Sequence, residues 1–568
     1  MKAMVCCFVV LTLVPASLAQ ITIRGTVTGV DGRPPLLSHV HIGEPAEYGY
    51  EGLRTAEVRP DGMFEVTVGQ PGFYTLLITA ANHAEHRLFV CAHEKDVIRL
   101  DVQLAPYKLL DVISAPKIIG DWNEFRRASA EPFLKQQDGT YLYERTATAD
   151  TVSYQIIGVE KSNRSINGTM ADYFRYDGSG DYRSVIRVKD GKVRIVFDPA
   201  KMLRSVRTDL PLVVFDKDHA YLSRLTTLRN KVSETVFAYA AARKKLHDSG
   251  GNADTLQFDF LPTVEDLLST MQDAHEVAEL RQFAALKLLS LVPFSPKAVV
   301  TDKEVEEAVR LLPVSSAIWG LDHYLIFFAA KLLVRLEHGL PLLPQGKGET
   351  EDERDVNAKL QEFADANPVK TVRAVALSSL VWIAARDNSP DFVRLYSALK
   401  EKYGDLPEIQ HTLSELDPAS PVAPGKPVPA FQLTLMESGE TVSHQTMRGK
   451  YYLMDFWAVW CGPCVAEMST LHQAYEKFKD RNFTILSLSF DSRPQDVEEF
   501  RKKKWKMPWL HAFVEGGFDS EIAKAFRVSG IPKPILVGPD GTILSVFRLT
   551  GVELPKTLAQ YLPARKMD

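Results

Sequence analysis

Cysteine is scarce in this chain, with five in 568 residues, and two of them, Cys6 and Cys7, sit near its start. An exported fold stapled by disulfides spreads many more through its domains, so this is not a disulfide scaffold. An excess of positive charge is missing as well. Lys and Arg number 67 against 72 Asp and Glu, a net charge of -5, which leaves no electrostatic footprint for nucleic acid. Long apolar runs are also lacking. The run Val5–Val14 is too short to cross a bilayer, and Tyr324–Ala330 stops at Lys331, so it reads as a buried helix face. No second Cys-x-x-Cys pair accompanies Cys461 and Cys464, so a zinc site built on two such pairs is excluded. His39 and His41 share one strand face, with His83, His86 and His93 nearby, but scattered histidines on a small β domain rarely bind metal, and no metal or other cofactor is assigned.

What is present begins with a leader. Lys2, the apolar run, Pro15, and the small residues Ser17 and Ala19 make residues 1–19 a secretory signal cleaved after Ala19. Cys6 and Cys7 lie inside the apolar run with no lipobox before them, so a lipoprotein anchor does not fit. The mature protein is expected to be soluble and exported, and it keeps only Cys91, Cys461 and Cys464.

The chain is too long for one hydrophobic core. Residues 20–107 alternate like strands, with Asp31-Gly32 and Asp61-Gly62 as turns. Their "RPDGMFEVTV" and "PGFYTLL" resemble carboxypeptidase-regulatory-like β-sandwiches. Residues 108–202, with "IIGDWNEF" and "QQDGTYLYE", resemble immunoglobulin-like modules related to glycogen-binding domains, which implies Trp122 as a sugar-stacking candidate. Packing in the module's core is the commoner fate of such a tryptophan. Asn163 and Asn167 head glycosylation sequons that a bacterial export route would leave unused.

Residues 219–416 change to a helical period. Thr301 and Glu304 form a capping box before an apolar face of Val305, Ala308, Val309 and Leu312. The stretch from Pro341 to Glu353 reads as a loop, and 417–427, rich in proline, as a semi-rigid linker. Residues 428–568 then alternate strands and helices. The fold class expected is therefore multidomain: two N-terminal β-sandwich modules, an α-helical middle region and a C-terminal α/β domain.

The strand "YYLMDFWAV" runs into "WCGPC" at a helix start, the context in which a Cys-x-x-Cys pair reads as redox-active. A thiolate must attack a disulfide, so the attacking sulfur needs a lowered pKa. Cys461 at a helix N-terminus meets that need, Cys464 lies one turn further in, and Gly462 and Pro463 suit the first turn. Residues 424–568, through "MRGKYYLMDFWAVWCGPCVAEM" and "FRVSGIPKPILVGPDGTI", resemble the TlpA-like branch of thioredoxin-fold, extracytoplasmic thiol–disulfide oxidoreductases.

The resemblance implies a redox disulfide Cys461–Cys464 and a proton acceptor at Asp455, where relatives in that branch often carry Asn. It also implies client contacts at Trp460, Gly462, Pro463, Ile531 and Pro532, the last in a cis-proline loop. Lys533 and Pro534 stand where relatives have small residues, and Ser469 where the family kinks its helix with proline. Ala458 replaces the threonine a peroxiredoxin would need. The function expected is reduction or exchange of disulfides in client proteins in the periplasm, fed by a membrane thiol carrier. The alternative is a cell-envelope binding or scaffold protein, with carbohydrate as a candidate ligand, to which the redox domain is subordinate.

Overall fold

The computed structural model describes residues 21–45, 53–161, 163–178, 180–202, 213–248, 256–294, 299–343, 353–387 and 389–562. The expected signal at 1–19 and most of the expected loop after Pro341 lie outside the described residues. The chain divides into two compact units, Met1–Ala376 and Leu377–Asp568.

The first unit opens with two four-stranded sheets. One runs in the order Val213–Phe215, Val97–Gln103, Ile21–Thr28, Met63–Val68, and the other Arg54–Glu57, Ser38–Gly43, Gly72–Ala80, His86–Ala92. Period-two burial sets the inner face: Phe64, Val66 and Val68 point in while Met63 and Glu65 point out. Gly25 is required where two strands close, because a Cβ there would meet the Leu100 carbonyl oxygen at 1.6 Å. The three-residue strand Val213–Phe215 returns to this first sheet after about a hundred intervening residues, antiparallel to Val97–Gln103. A first β region ending near 107 therefore omits one of its own strands. Three residues are too few to show a period.

Between those strands lie a five-stranded and a three-stranded sheet. Their shared core includes Tyr141, Tyr154, Ile156, Ile195 and Phe197. Helices follow, from Tyr221–Asp248 to Glu353–Ala366, and the helix Lys370–Arg386 runs across the division between the units. The capping box forms as read, with the Thr301 amide donating to Glu304 Oε2 at 2.6 Å, and Val305, Ala308, Val309 and Leu312 are buried. One described run, Ala317–Glu337, is long and apolar enough to span a membrane by length and composition. It breaks at Asp322, and Trp319, Leu321, Ala330 and Leu332 are buried within the unit.

The second unit is built on a five-stranded sheet in the order Leu510–Phe513, Phe483–Ser489, Tyr451–Trp457, Lys533–Val537, Ile543–Ser545. The first three strands are parallel and the last two antiparallel to their neighbours. The central strand Tyr451–Trp457 is buried on both faces, which is why it reads as a continuous apolar run. Leu453 and Trp457 face a core with Met468, Leu471, Phe478 and Leu558. Tyr452, Met454 and Phe456 face another with Phe431, Phe526 and Ile535.

Two features of this unit differ from the sequence reading. Residues 417–427, expected as a semi-rigid linker, are packed onto the unit, since Val422 is buried in the sheet's core and the amides of Gly425 and Ile543 bond to Ile543 and Lys426 carbonyls. Proline removes donors, yet the remaining amides suffice to lace this stretch onto the edge strand. The helix after Cys461 is also not continuous: Gly462–Ala466 ends at Glu467, and Met468–Phe478 begins anew. The break comes without a proline, just before Ser469.

Candidate active site

The central strand delivers Ala458, Val459 and Trp460 to the edge of the sheet, and Cys461 caps the short helix Gly462–Ala466. Val459 is pinned there, its amide donating to both oxygens of Asp491 at 3.1 Å. Asp491 in turn accepts from the Ser489 hydroxyl at 2.9 Å. Burial pushes the Asp491 carboxyl above its usual range, against the pull of those two donors.

Cys461 and Cys464 are joined as a disulfide with Cα atoms 5.2 Å apart. Both are buried among Trp457, Ala458 and Met468, while Gly462 and Pro463 between them are exposed. The Cys464 amide donates toward Cys461 Sγ at 3.2 Å, so the sulfur occupies the place of a capping oxygen. The carbonyl oxygen of Ile531 lies 3.7 Å from that sulfur, and the Ile531–Pro532 bond is cis. Trp460 is 59% exposed and tilts toward Phe518 with ring centroids 6.4 Å apart. The expected residues Trp460, Cys461, Gly462, Pro463, Cys464, Ile531 and Pro532 thus gather at one end of the sheet.

Asp455 lies on the central strand on the same face as Leu453 and Trp457, which belong to the core that holds both cysteines. Burial pushes its carboxyl up to about 7, opposed by a hydrogen bond from Ser487 and reinforced by the charge of Glu467. Ser487 Oγ donates to Asp455 Oδ2 at 3.1 Å and accepts from the indole of Trp509 at 2.9 Å. Glu467, at the helix break, accepts from the Gly551 amide at 2.7 Å. Sequence reasoning missed Ser487, Glu467, Asp491 and Trp509. For Ser487 a signal existed, because the alternation of "ILSLSF" puts a hydroxyl directly across from Asp455 in a parallel neighbour.

Lys533, the odd residue after the cis-proline, has its explanation upstream. Its Nζ lies 3.2 Å from Glu415 Oε2 and donates to the Arg527 carbonyl at 2.7 Å.

The remaining candidates lie in the first unit. Trp122 is half-buried and stacks on Tyr143 with ring centroids 5.4 Å apart, and the Arg145 guanidinium lies 4.5 Å from its ring. The indole is engaged by protein groups and is not laid bare as a sugar platform. Asn167 is fully buried, its amide donating to the Tyr182 carbonyl, so no glycan could be attached in the folded state. His39 bonds to Tyr182, and His41 to Thr55 and Thr79. Burial lowers the pKa of both, His41 to about 4. Cys91 is a buried free thiol whose pKa is pushed up by burial and by Glu279 and Asp96. Its sulfur and donor atoms of His93 and Glu279 lie within 4.8 Å of one another.

A thioredoxin-like family model matches residues 449–543. The chain is 30% identical over 138 residues to the thiol-disulfide oxidoreductase ResA of Bacillus thuringiensis subsp. konkukian (strain 97-27), covering 24% of this chain and 76% of that relative. It is 31% identical over 149 residues to a probable nucleoredoxin 1 of Arabidopsis thaliana, covering 26% of this chain and 25% of that one. Among solved structures, the thioredoxin domain of a thiol-disulfide oxidoreductase from Bacteroides vulgatus is 30% identical, with 25% of this chain and 99% of that chain covered and a TM-score of 0.24.

Proposed function

This chain belongs to the thioredoxin-like thiol–disulfide oxidoreductases, and from that premise we propose that it reduces disulfides of client proteins outside the cytoplasm, with Cys461 as nucleophile and Cys464 as resolving thiol. The observation that carries the reading is the place of Cys461 Sγ, facing the Cys464 amide on one side and the Ile531 carbonyl on the other. An amide aimed at the sulfur favours the thiolate once the pair is reduced.

The cycle balances as thiol–disulfide exchange. The Cys461 thiolate attacks one sulfur of the client disulfide, and the client's other sulfur leaves as a thiolate. Cys464 gives its proton to Asp455 and attacks Cys461 Sγ. The client cysteine departs and is protonated, and the enzyme is left with the Cys461–Cys464 disulfide. Two electrons have passed to the client, and an external dithiol must return them by the reverse exchange. A membrane thiol carrier is the proposed source, and the leader at residues 1–19 the proposed route of export.

Asp455 suits its part because a carboxyl pushed up to about 7 is a base matched to neutral pH. Trp460, Gly462, Pro463, Ile531 and Pro532 frame the sulfur and form the proposed client contact. The reading is tested with the full chain on insulin and dithiothreitol. Native protein should speed reduction, Cys461→Ser should abolish the effect, and Cys464→Ser should accumulate a mixed disulfide at Cys461. Native protein without effect on insulin or any other disulfide would overturn it. Cell fractionation should find the chain in the periplasm without residues 1–19.

A further inference from the structure

Beside the cis-proline, within the unit Leu377–Asp568, lies a cavity of about 380 Å³ that the redox chemistry does not use. Pro532, Lys533 and Pro534 line it, directly after the Ile531 carbonyl that faces Cys461. Its other walls come from elsewhere: Trp382 and Phe392 with Val393 from the helices upstream, and Phe547 from beyond the last strand. The size falls within the range of about 300–1,000 Å³ typical of binding pockets.

The walls are apolar and held in place. Trp382 spends its only polar group on Thr412, Nε1 to Oγ1 at 2.9 Å, and Thr412 Oγ1 also bonds to Ser378 at 2.7 Å. The indole then stands edge-on to Phe547 with centroids 6.2 Å apart. The charges at the rim neutralise each other, Glu415 with Lys533 at 3.2 Å and Asp417 with Arg527 at 3.5 Å. Val393 is left 56% exposed at the mouth, a large apolar side chain with nothing over it.

Position decides the occupant. A client cysteine bonded to Cys461 must lie against Ile531, and the cavity starts at the next residue. An extended client advances about 3.3 Å per residue, so a side chain one or two positions from its cysteine reaches the opening. We propose that this cavity is a client subsite that takes a large apolar side chain, Phe, Leu or Trp, close to the target cysteine. The proposal rests on the redox reading above and adds a sequence preference to it. The upstream helices then help choose the substrate, and Lys533 ties them to the cis-proline loop through Glu415.

The test uses the full chain with a dithiol present to re-reduce it at each turnover, the uncatalysed rate being subtracted, and three disulfides. Two are peptide disulfides that differ only in Phe or Ser two residues from the cysteine, and the third is hydroxyethyl disulfide, too small to fill the cavity. Native protein should favour the Phe peptide over the Ser peptide in kcat/KM by roughly tenfold or more, the value of burying one aromatic side chain. In Val393→Asp, which places a charge at the mouth without touching the core, and in Trp382→Ala, the ratio should fall toward one. The ratio is taken within each protein, so partial loss of folded enzyme cancels. Equal kcat/KM for both peptides in native protein, or a preference that survives in both variants, would overturn the subsite while turnover of hydroxyethyl disulfide upholds the redox reading. Failure of native protein on all three would overturn both.

Discussion

The Ser487 hydroxyl donates to the Asp455 carboxylate at 3.1 Å, the one hydrogen bond among the described residues recorded to that carboxylate. A buried acid so thinly supported is reluctant to ionise, and that reluctance makes it a proton acceptor instead of a fixed charge.

Asp455→Asn should therefore separate the two halves of the reaction. The first attack needs only the Cys461 thiolate and should change little. Release of the mixed disulfide should slow by about 100-fold near neutral pH, the usual scale of a lost general base. Rapid-mixing measurements on a peptide disulfide resolve both phases. Equal release rates in the two proteins would remove Asp455 from the mechanism.

The same substitution should stabilise the oxidised protein in a pH-dependent way. The folded-state pKa is raised from 3.8 to about 7, so the folded protein keeps a proton that the unfolded chain gives up between those values. Native stability from this group is full below pH 4 and is lost as the pH rises through 7. Asn carries no such dependence. Its advantage in unfolding free energy, read from denaturant melts across pH, should be near zero at pH 4 and largest above pH 7, up to about 4 kcal/mol at 1.36 kcal/mol per pKa unit.

Glu467→Gln removes a negative charge that raises the Asp455 pKa. The pH midpoint of mixed-disulfide release should move down, because the base form of Asp455 then appears at lower pH. The pH profile of that step measures it. A midpoint that stays in place would mean Glu467 acts only through its bond to the Gly551 amide.

Brief alkylation of the reduced protein at pH 7 should label Cys461 more than about tenfold faster than Cys91. Cys91 is buried, and neighbouring carboxylates push its thiol further from ionisation. Mass spectrometry of the labelled peptides decides the order.

The redox centre was legible because its parts are local. A buried strand, a Cys-x-x-Cys pair and a first helical turn follow one another within a dozen or so residues, and spacing alone carries the chemistry. Pro532 was legible through its motif. Lys533 was not, because its meaning depends on Glu415, 118 residues earlier. Trp382 was equally opaque, since on its helix it looks like any apolar position until Phe547 closes on it. The proline content of 417–427 suggested a spacer because composition counts missing donors and cannot see where the remaining ones bond.

A chain beginning at Leu377 should thus fold and melt higher than one beginning at Pro424. The shorter piece loses the Trp382–Phe547 contact and the Glu415–Lys533 pair, together worth about 1–3 kcal/mol. Thermal melts of the two pieces side by side would measure the difference.

The return of Val213–Phe215 to the first sheet bears on how the chain is born. Synthesis runs from the N-terminus, so Val97–Gln103 emerges with one side already paired to Ile21–Thr28 and the other bare. Its covering strand follows, from the ribosome or from an export channel, only after the whole intervening β region. For that interval the nascent chain carries an open β edge, the kind of surface that recruits neighbouring strands. A fast-folding insert between the two strands would shorten the exposure, and a slow or truncated one would leave the edge to a stranger.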